Sequence, residues 1–162
     1  MINKLFISAV IASFLIGIGC GSSPPEKKPK SSLAIQAFQK NEFETPKKIA
    51  FSSVISVLQD LGYIIKSADF DTGLITGNSP TKSESTGFIS ETSHMSTTGV
   101  TAFVEEFGTN RSSIRLNFVE VKESFSESGM KSRVDTPVLD PLVYQSSFSK
   151  IREAIFIREG FK

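Results

Sequence analysis

One cysteine, Cys20, stands alone in this chain of 162 residues, and no other residue constrains the fold as much. A single cysteine closes no intramolecular disulfide, so a domain built from this chain has to be held by its apolar core. A thiolate metal centre and a dithiol redox pair are excluded with it. Cys20 also marks a break in composition. Before it, Leu5 to Gly19 form an uncharged run of fifteen residues. After it, GSSPPEKKPKSS at 21–32 carries three prolines and no apolar side chain, so it cannot bury surface and is predicted to run extended.

The apolar run follows one basic residue, Lys4, and is shorter than the ~20 residues a membrane-crossing helix needs. That is the pattern of a secretory signal. Ile16-Gly17-Ile18-Gly19-Cys20 resembles the lipobox of bacterial lipoproteins, with the small residue Gly19 before the cut and Gly17 where that family usually has leucine. The resemblance implies a signal peptide at 1–19, a diacylglyceryl group on the Cys20 sulfur and acylation of the freed amine. The first partner is then a membrane, reached through the acyl chains. Each buried CH₂ contributes ~0.8 kcal/mol, so two or three chains hold where one is marginal. An uncleaved short anchor and an ordinary secretory peptide with a chance cysteine are the alternatives, and the length of the run argues against the first. Gly21, where an aspartate would retain such a protein at the inner membrane, implies by the same resemblance an outer-membrane lipoprotein facing the periplasm. In a single-membrane host it implies a cell-surface anchor. At ~3.1 Å per residue, the tether 20–32 keeps the domain within roughly 40 Å of the bilayer. Lys27, Lys28 and Lys30 are fewer than a lipid-reading basic cluster carries, and they read as part of a solvated spacer.

Residues 33–162 amount to one domain. The chain has 18 Lys and Arg against 17 Asp and Glu, and losing Lys4 with the signal leaves the side chains neutral. This balance argues against nucleic acid as a partner, because duplex binding is driven by cationic neutralisation of phosphate.

Within the domain, Leu33–Glu44 is mixed polar and apolar and is predicted as a strand. Thr45 offers an N-cap and Pro46 a first helical position. Ala50, Val54, Val57, Leu58 and Leu61 then recur at helical spacing, and Gly62 closes the helix in a left-handed conformation. Lys47 and Lys48 at its positive end and Asp60 at its negative end are each the wrong sign for the macrodipole, by ~0.3–1 kcal/mol at exposed positions. Phe51 and Ile55 widen its apolar face. Packing on a sheet, with a second element on its flank, must therefore hold it. A docking role for the two lysines is possible chemistry, but a solvated pair is the simpler reading.

Tyr63–Ser67 and Leu74–Thr76 flank Asp69-Phe70-Asp71-Thr72-Gly73 and are predicted to form a hairpin turning at Gly73. Asp69 and Asp71 suggest a calcium loop, but the sixth and twelfth places counted from Asp69 are Leu74 and Pro80, where such a loop requires Gly and Glu. Residues 79–99 are dominated by Ser and Thr, include His94, the only histidine, and are predicted to be a polar loop. A serine hydrolase using His94 would need a third group fixing the ring, and there is no G-x-S-x-G turn. Val100–Phe107 and Ser112–Phe125 form a second antiparallel pair, whose apolar phase slips at Phe118–Val119 as a β-bulge would make it slip. A polar stretch over 126–139 leads to Asp140-Pro141. From there Tyr144, Phe148, Ile151 and Ile155 mark a second amphipathic helix to about Glu159, its aromatic stripe read as core.

The predicted fold is α+β: a curved antiparallel sheet of about four to six strands on two amphipathic helices, in the order β-α-β-β-β-β-α, like a helix grip. FETPKKIAFSSVISVLQDLGYIIKSADFDTGLITG (43–77) and LDPLVYQSSFSKIREAIFI (139–157) resemble a family of bacterial lipoproteins with no assigned biochemical activity. A weaker likeness, resting on the order of elements, is to the BamC-type outer-membrane assembly lipoprotein. Neither implies a catalytic residue, a metal or a cofactor. The expected function is a non-enzymatic, membrane-tethered interaction or assembly module whose further partner is another envelope protein. The alternative is a lipid- or peptide-binding domain with an apolar pocket between the sheet and the C-terminal helix.

Overall fold

The computed structural model describes residues 31–86, 92–126 and 129–160; the expected signal, Cys20 and most of the expected tether lie outside them. The elements run α1 (Ser32–Gln39), β1 (Lys40–Phe43), α2 (Lys47–Asp60), β2 (Ile64–Asp69), β3 (Leu74–Asn78), β4 (Lys82–Thr86), β5 (Thr92–Glu106), β6 (Ser112–Phe125), β7 (Lys131–Pro137) and α3 (Pro141–Gly160). The α+β class and the antiparallel sheet packed on helices are as expected from the sequence. The sheet has seven strands rather than four to six, and a third helix leads the domain.

α2 forms where the apolar residues repeat at helical spacing, and Ala50, Phe51, Val54, Val57 and Leu58 are buried. It ends in a Schellman turn. Gly62, at φ +86°, lets its N–H donate to Gln59 O at 2.8 Å while the Tyr63 N–H donates to Leu58 O at 2.9 Å. These bonds satisfy carbonyls that a helix end otherwise leaves orphaned. The start of α2 corrects the expectation. Pro46, not Thr45, occupies the N-cap position and supplies no side-chain bond. The buried Thr45 hydroxyl instead donates to Glu159 Oε1 at 2.6 Å, tying the entry of α2 to the end of α3. Lys47, poorly placed for the macrodipole, donates to Asp71 O at 3.1 Å and lies 5.1 Å over the Phe70 ring. Contacts to the β2–β3 turn thus offset its position. The element on the flank of α2 is α3, whose Arg158 reaches Ser53 Oγ at 3.1 Å, Ser52 O at 3.2 Å and Ser56 Oγ.

α3 begins as the sequence predicts. Leu142 N–H donates to the Asp140 carboxylate at 3.0 Å, the bond of an N-cap, and Tyr144, Phe148, Ile151 and Ile155 are its buried stripe. β5 and β6 are the long central pair, antiparallel in one register from Ser93↔Phe125 to Glu106↔Ser112. At one end β3 and β2 extend the sheet beyond β5, and β1 extends it beyond β6. There the sheet face carrying Val100, Ala102, Val104, Ile114, Leu116 and Phe118 joins the helices in one core.

Residues 33–39 are helical, not extended. Ser31 Oγ accepts from Ala34 N–H at 3.2 Å as the N-cap, and Phe38 packs 4.9 Å from the Tyr144 ring. A tertiary aromatic contact outweighs the weak alternation, and only Lys40–Phe43 remains a strand. The expected polar loop at 79–99 is instead a hairpin arm, paired from Lys82↔Ser96 to Thr86↔Thr92. β7 likewise occupies the supposed polar connection, pairing with β6 from Val119↔Pro137 to Phe125↔Lys131.

The phase slip at Phe118–Val119 is not a bulge, because the β5–β6 register passes through it unbroken. The buried run of β6 ends at Phe118, while Val119 and Val121 lie half-buried on the opposite sheet face. The bends are elsewhere. Register shifts in β2 between Ile65 and Ser67. Between the pairs Asn78↔Gly99 and Lys82↔Ser96, three residues (79–81) oppose two (97–98), the extra residue that bends a strand. Ser79 keeps the ladder continuous past Pro80: its N–H donates to Thr98 O and its Oγ accepts from Thr98 N–H, both at 2.8 Å.

Tyr144 fills the corresponding break on the other side. Between β1 and β7, residues 116–118 of β6 have no strand on the side away from β5. The Tyr144 hydroxyl donates to Val138 O at 2.8 Å and accepts from Phe118 N–H and Gln39 Nε2, each at 3.4 Å. Val138 N–H donates to Phe118 O at 2.9 Å.

Candidate functional site

The sheet is longer than its helical cover. Successive rows across β5 and β6 read Val104/Ile114, Ala102/Leu116 and Val100/Phe118, then Thr98/Glu120, Ser96/Lys122 and His94/Ser124. All six rows share one face, because side chains alternate with a period of two and the register is unbroken. The first three rows are apolar and buried. The next three are polar because α2 ends and α3 begins above their boundary.

Two adjoining depressions mark that boundary. An apolar groove of about 430 Å³ is lined by Leu61, Tyr63, Phe118, Leu142 and Val143, between the end of α2, the sheet and the first turn of α3. A trough of about 810 Å³ runs over the polar rows, with Leu61, Gly62 and Pro80 at its head and Lys82 and Glu84 of β4 on its side. Leu61 lines both, so groove and trough adjoin, and together they make a cleft with an apolar part and a polar part. Burial, followed by the neighbouring Tyr144, raises the Tyr63 hydroxyl above the usual tyrosine value. It remains a neutral donor and acceptor at the apolar end.

On the trough floor, His94 Nδ1 lies 2.9 Å from Ser124 Oγ, Ser96 Oγ donates to Glu120 Oε1 at 3.3 Å, and Lys122 Nζ lies 3.3 Å from Glu120 Oε2. Lys82 and Glu84 point from alternate positions of β4 onto the same floor, opposite Ser96 and His94. They have no hydrogen-bonded or ionic partner among the described residues. The His94–Ser124 contact lies on an exposed surface, and no carboxylate bonds the His94 ring among the described residues. The arrangement that activates a serine is therefore not assembled there.

Asp69 does not join a metal site. Its carboxylate accepts from Thr72 N–H at 3.3 Å and Asp71 N–H at 3.0 Å. The Thr72 backbone bond is the largest influence holding it below the ordinary aspartate value. Its Oδ1 is thus committed to the β2–β3 turn. No three His, Cys, Asp or Glu side chains come together as a metal set among the described residues. No described helix is long and apolar enough to cross a membrane. Cys20, the predicted lipidation site, lies outside the described residues.

Sequence reasoning located a possible pocket only in general terms, between sheet and C-terminal helix. It missed the lining residues. The signal present was the Leu142-Val143 pair, which falls outside the buried stripe of α3. A scan of protein-family models and a search of curated proteins both find no match for this chain.

Proposed function

We propose that this chain is a non-enzymatic lipoprotein of the bacterial cell envelope, anchored through acyl chains on Cys20 and facing the periplasm from the outer membrane. Its domain is an interaction or assembly module that binds another envelope protein through the cleft. The observation that carries the binding role is the open groove: Leu142 is 69 % exposed, and Leu61 and Val143 are each 37 % exposed, although all three line it together with the buried Phe118. Fully burying a leucine-sized side chain is worth ~1.5–3 kcal/mol. The isolated domain forgoes much of that, and a docked partner recovers it. The lipobox resemblance at 16–20 supports the anchor, and the likeness of 43–77 and 139–157 to uncharacterised lipoproteins supports the envelope role.

A second reading, a pocket for a lipid tail or a peptide, is favoured by the position of the groove between Phe118 of the sheet and Leu142 and Val143 of the C-terminal helix. A photo-crosslinking residue at position 142 tests the binding role in intact envelopes. Position 109, in the β5–β6 turn at the far end of the sheet, is the control. A polypeptide adduct from 142 and none from 109 is expected. Equal labelling from both sites, or none from 142, contradicts the proposed role.

A further inference from the structure

We infer that the occupant of the cleft is an extended polypeptide segment, with one large apolar side chain seated in the groove, followed by an acidic and then a basic side chain two residues apart. The inference rests on the binding role proposed above and specifies its ligand.

Three observations lead to it. The groove is lined mainly by apolar side chains and adjoins the trough at Leu61, which suits a single bulky anchor on a chain that continues outward. The floor beyond it is ruled in rows two residues apart, about 6.6 Å at strand spacing. An extended peptide lying along β5 and β6 presents side chains to that floor with the same repeat. The charge of the rows also alternates. Beyond the Thr98/Glu120 row that borders the groove, the following row carries two lysines, Lys82 and Lys122, on either side of Ser96. The next row carries Glu84 beside His94 and Ser124. Lys122 already shares Glu120, whereas Lys82 and Glu84 have no ionic partner among the described residues. Complementarity therefore calls for an acid over the lysine row and a base over the Glu84 row. A lipid suits this floor less well. An acyl chain would fill the groove, but its headgroup would meet two lysines and two glutamates, Glu84 and Glu120, with no excess of either sign. Ser96, Thr98 and Ser124 both donate and accept, as the amides of a peptide require.

The test uses the full chain, displayed against a phage library of random peptides. Enriched sequences are expected to carry a large apolar residue followed by the acid-x-base pair. Reversing the floor with Lys82→Glu and Glu84→Lys keeps the net charge and touches no core residue. It is expected to weaken the selected peptides by roughly tenfold, as two exposed charge pairs turn repulsive, and to select base-x-acid sequences instead. Leu142→Asp, at an exposed position outside the buried stripe, is expected to weaken them by roughly ten- to hundredfold through loss of the apolar seat. An unchanged thermal melt for each variant shows that the fold survives.

The inference is overturned if no sequence enriches, if charge reversal leaves the selected sequences unchanged, or if native mass spectrometry of the protein from its envelope shows a lipid lost on Leu142→Asp. Failure to enrich peptides while position 142 still crosslinks an envelope protein removes the extended-segment inference and leaves the binding role standing.

Discussion

Replacing Tyr144 with Phe isolates one hydroxyl whose loss should be felt across the domain. The ring stays, and with it the packing against Phe38 at 4.9 Å and Phe118 at 5.2 Å. The hydroxyl serves the break in the sheet where β6 has no strand on the side away from β5, donating to Val138 O and accepting from Phe118 N–H and Gln39 Nε2. Gln39 keeps Asn117 Oδ1 as a second partner at 3.4 Å, so its loss is small. The Phe118 N–H is buried and loses its bond, at ~1–3 kcal/mol, while the Val138 bond contributes ~0.5–1.5 kcal/mol net. The sum is about 1.5–4.5 kcal/mol. For a domain of this size each kcal/mol shifts the midpoint by roughly 3–5 °C, so Tyr144→Phe should melt about 10 °C lower by circular dichroism. Tyr63→Phe, which removes a half-exposed hydroxyl, is the control and should change stability by less than about 0.5 kcal/mol. Amide exchange at Phe118 should accelerate in the first variant and not in the second. A Tyr144→Phe midpoint within about 2 °C of the native protein would refute this reading of the break.

Gly73→Ala should cost far more than Gly62→Ala. Both glycines have positive φ, costing an L-residue ~1–2 kcal/mol, but a Cβ at Gly73 would meet Val104 O at 2.0 Å, whereas the space beside Gly62 is open. Comparable urea midpoints for the two variants would contradict this. Asp69, held below the usual carboxylate range by the Thr72 and Asp71 amides, contributes stability that is fully present above its unfolded value, about pH 4, and is lost as pH falls through the depressed value. Asp69→Asn should therefore flatten the acid limb of stability against pH, and an unchanged limb would count against the turn geometry. Ser112 Oγ is buried without a partner among the described residues. Ser112→Ala should raise the melting point, because removing an unsatisfied polar group relieves its desolvation penalty. Leu58 and Ile151 are fully buried, and aspartate at either should abolish the cooperative melt, since an unpaired buried charge is not tolerated.

The sequence disclosed the parts of this fold whose signals are local. The stripe Ala50–Leu58, the glycine at 62, the turn at Gly73 and the Asp140-Pro141 start of α3 each follow from the period or conformational preference of a few adjacent residues. β4, β7 and the near half of β5 were not legible, because their sequences are rich in Ser, Thr, Lys, Arg and Glu. No apolar alternation marks them, and they are strands because β5 and β6 offer backbone partners. α1 was misread for a related reason: its only inward residues are Ile35, Phe38 and Gln39, and what holds Phe38 is Tyr144, over a hundred residues away. The cleft was hidden because Leu61, Tyr63, Leu142 and Val143 resemble core residues in sequence. Only the ends of α2 and α3, placed side by side, leave them uncovered.

The most direct test of the anchored-module proposal is the mass of the first peptide of the mature protein, taken from the native envelope. A chain beginning at Cys20 and carrying a diacylglyceryl thioether and an amide-linked acyl group, both lost in Cys20→Ser, is expected. An unmodified Cys20 in protein recovered from the aqueous fraction would contradict the anchor and the envelope role that depends on it.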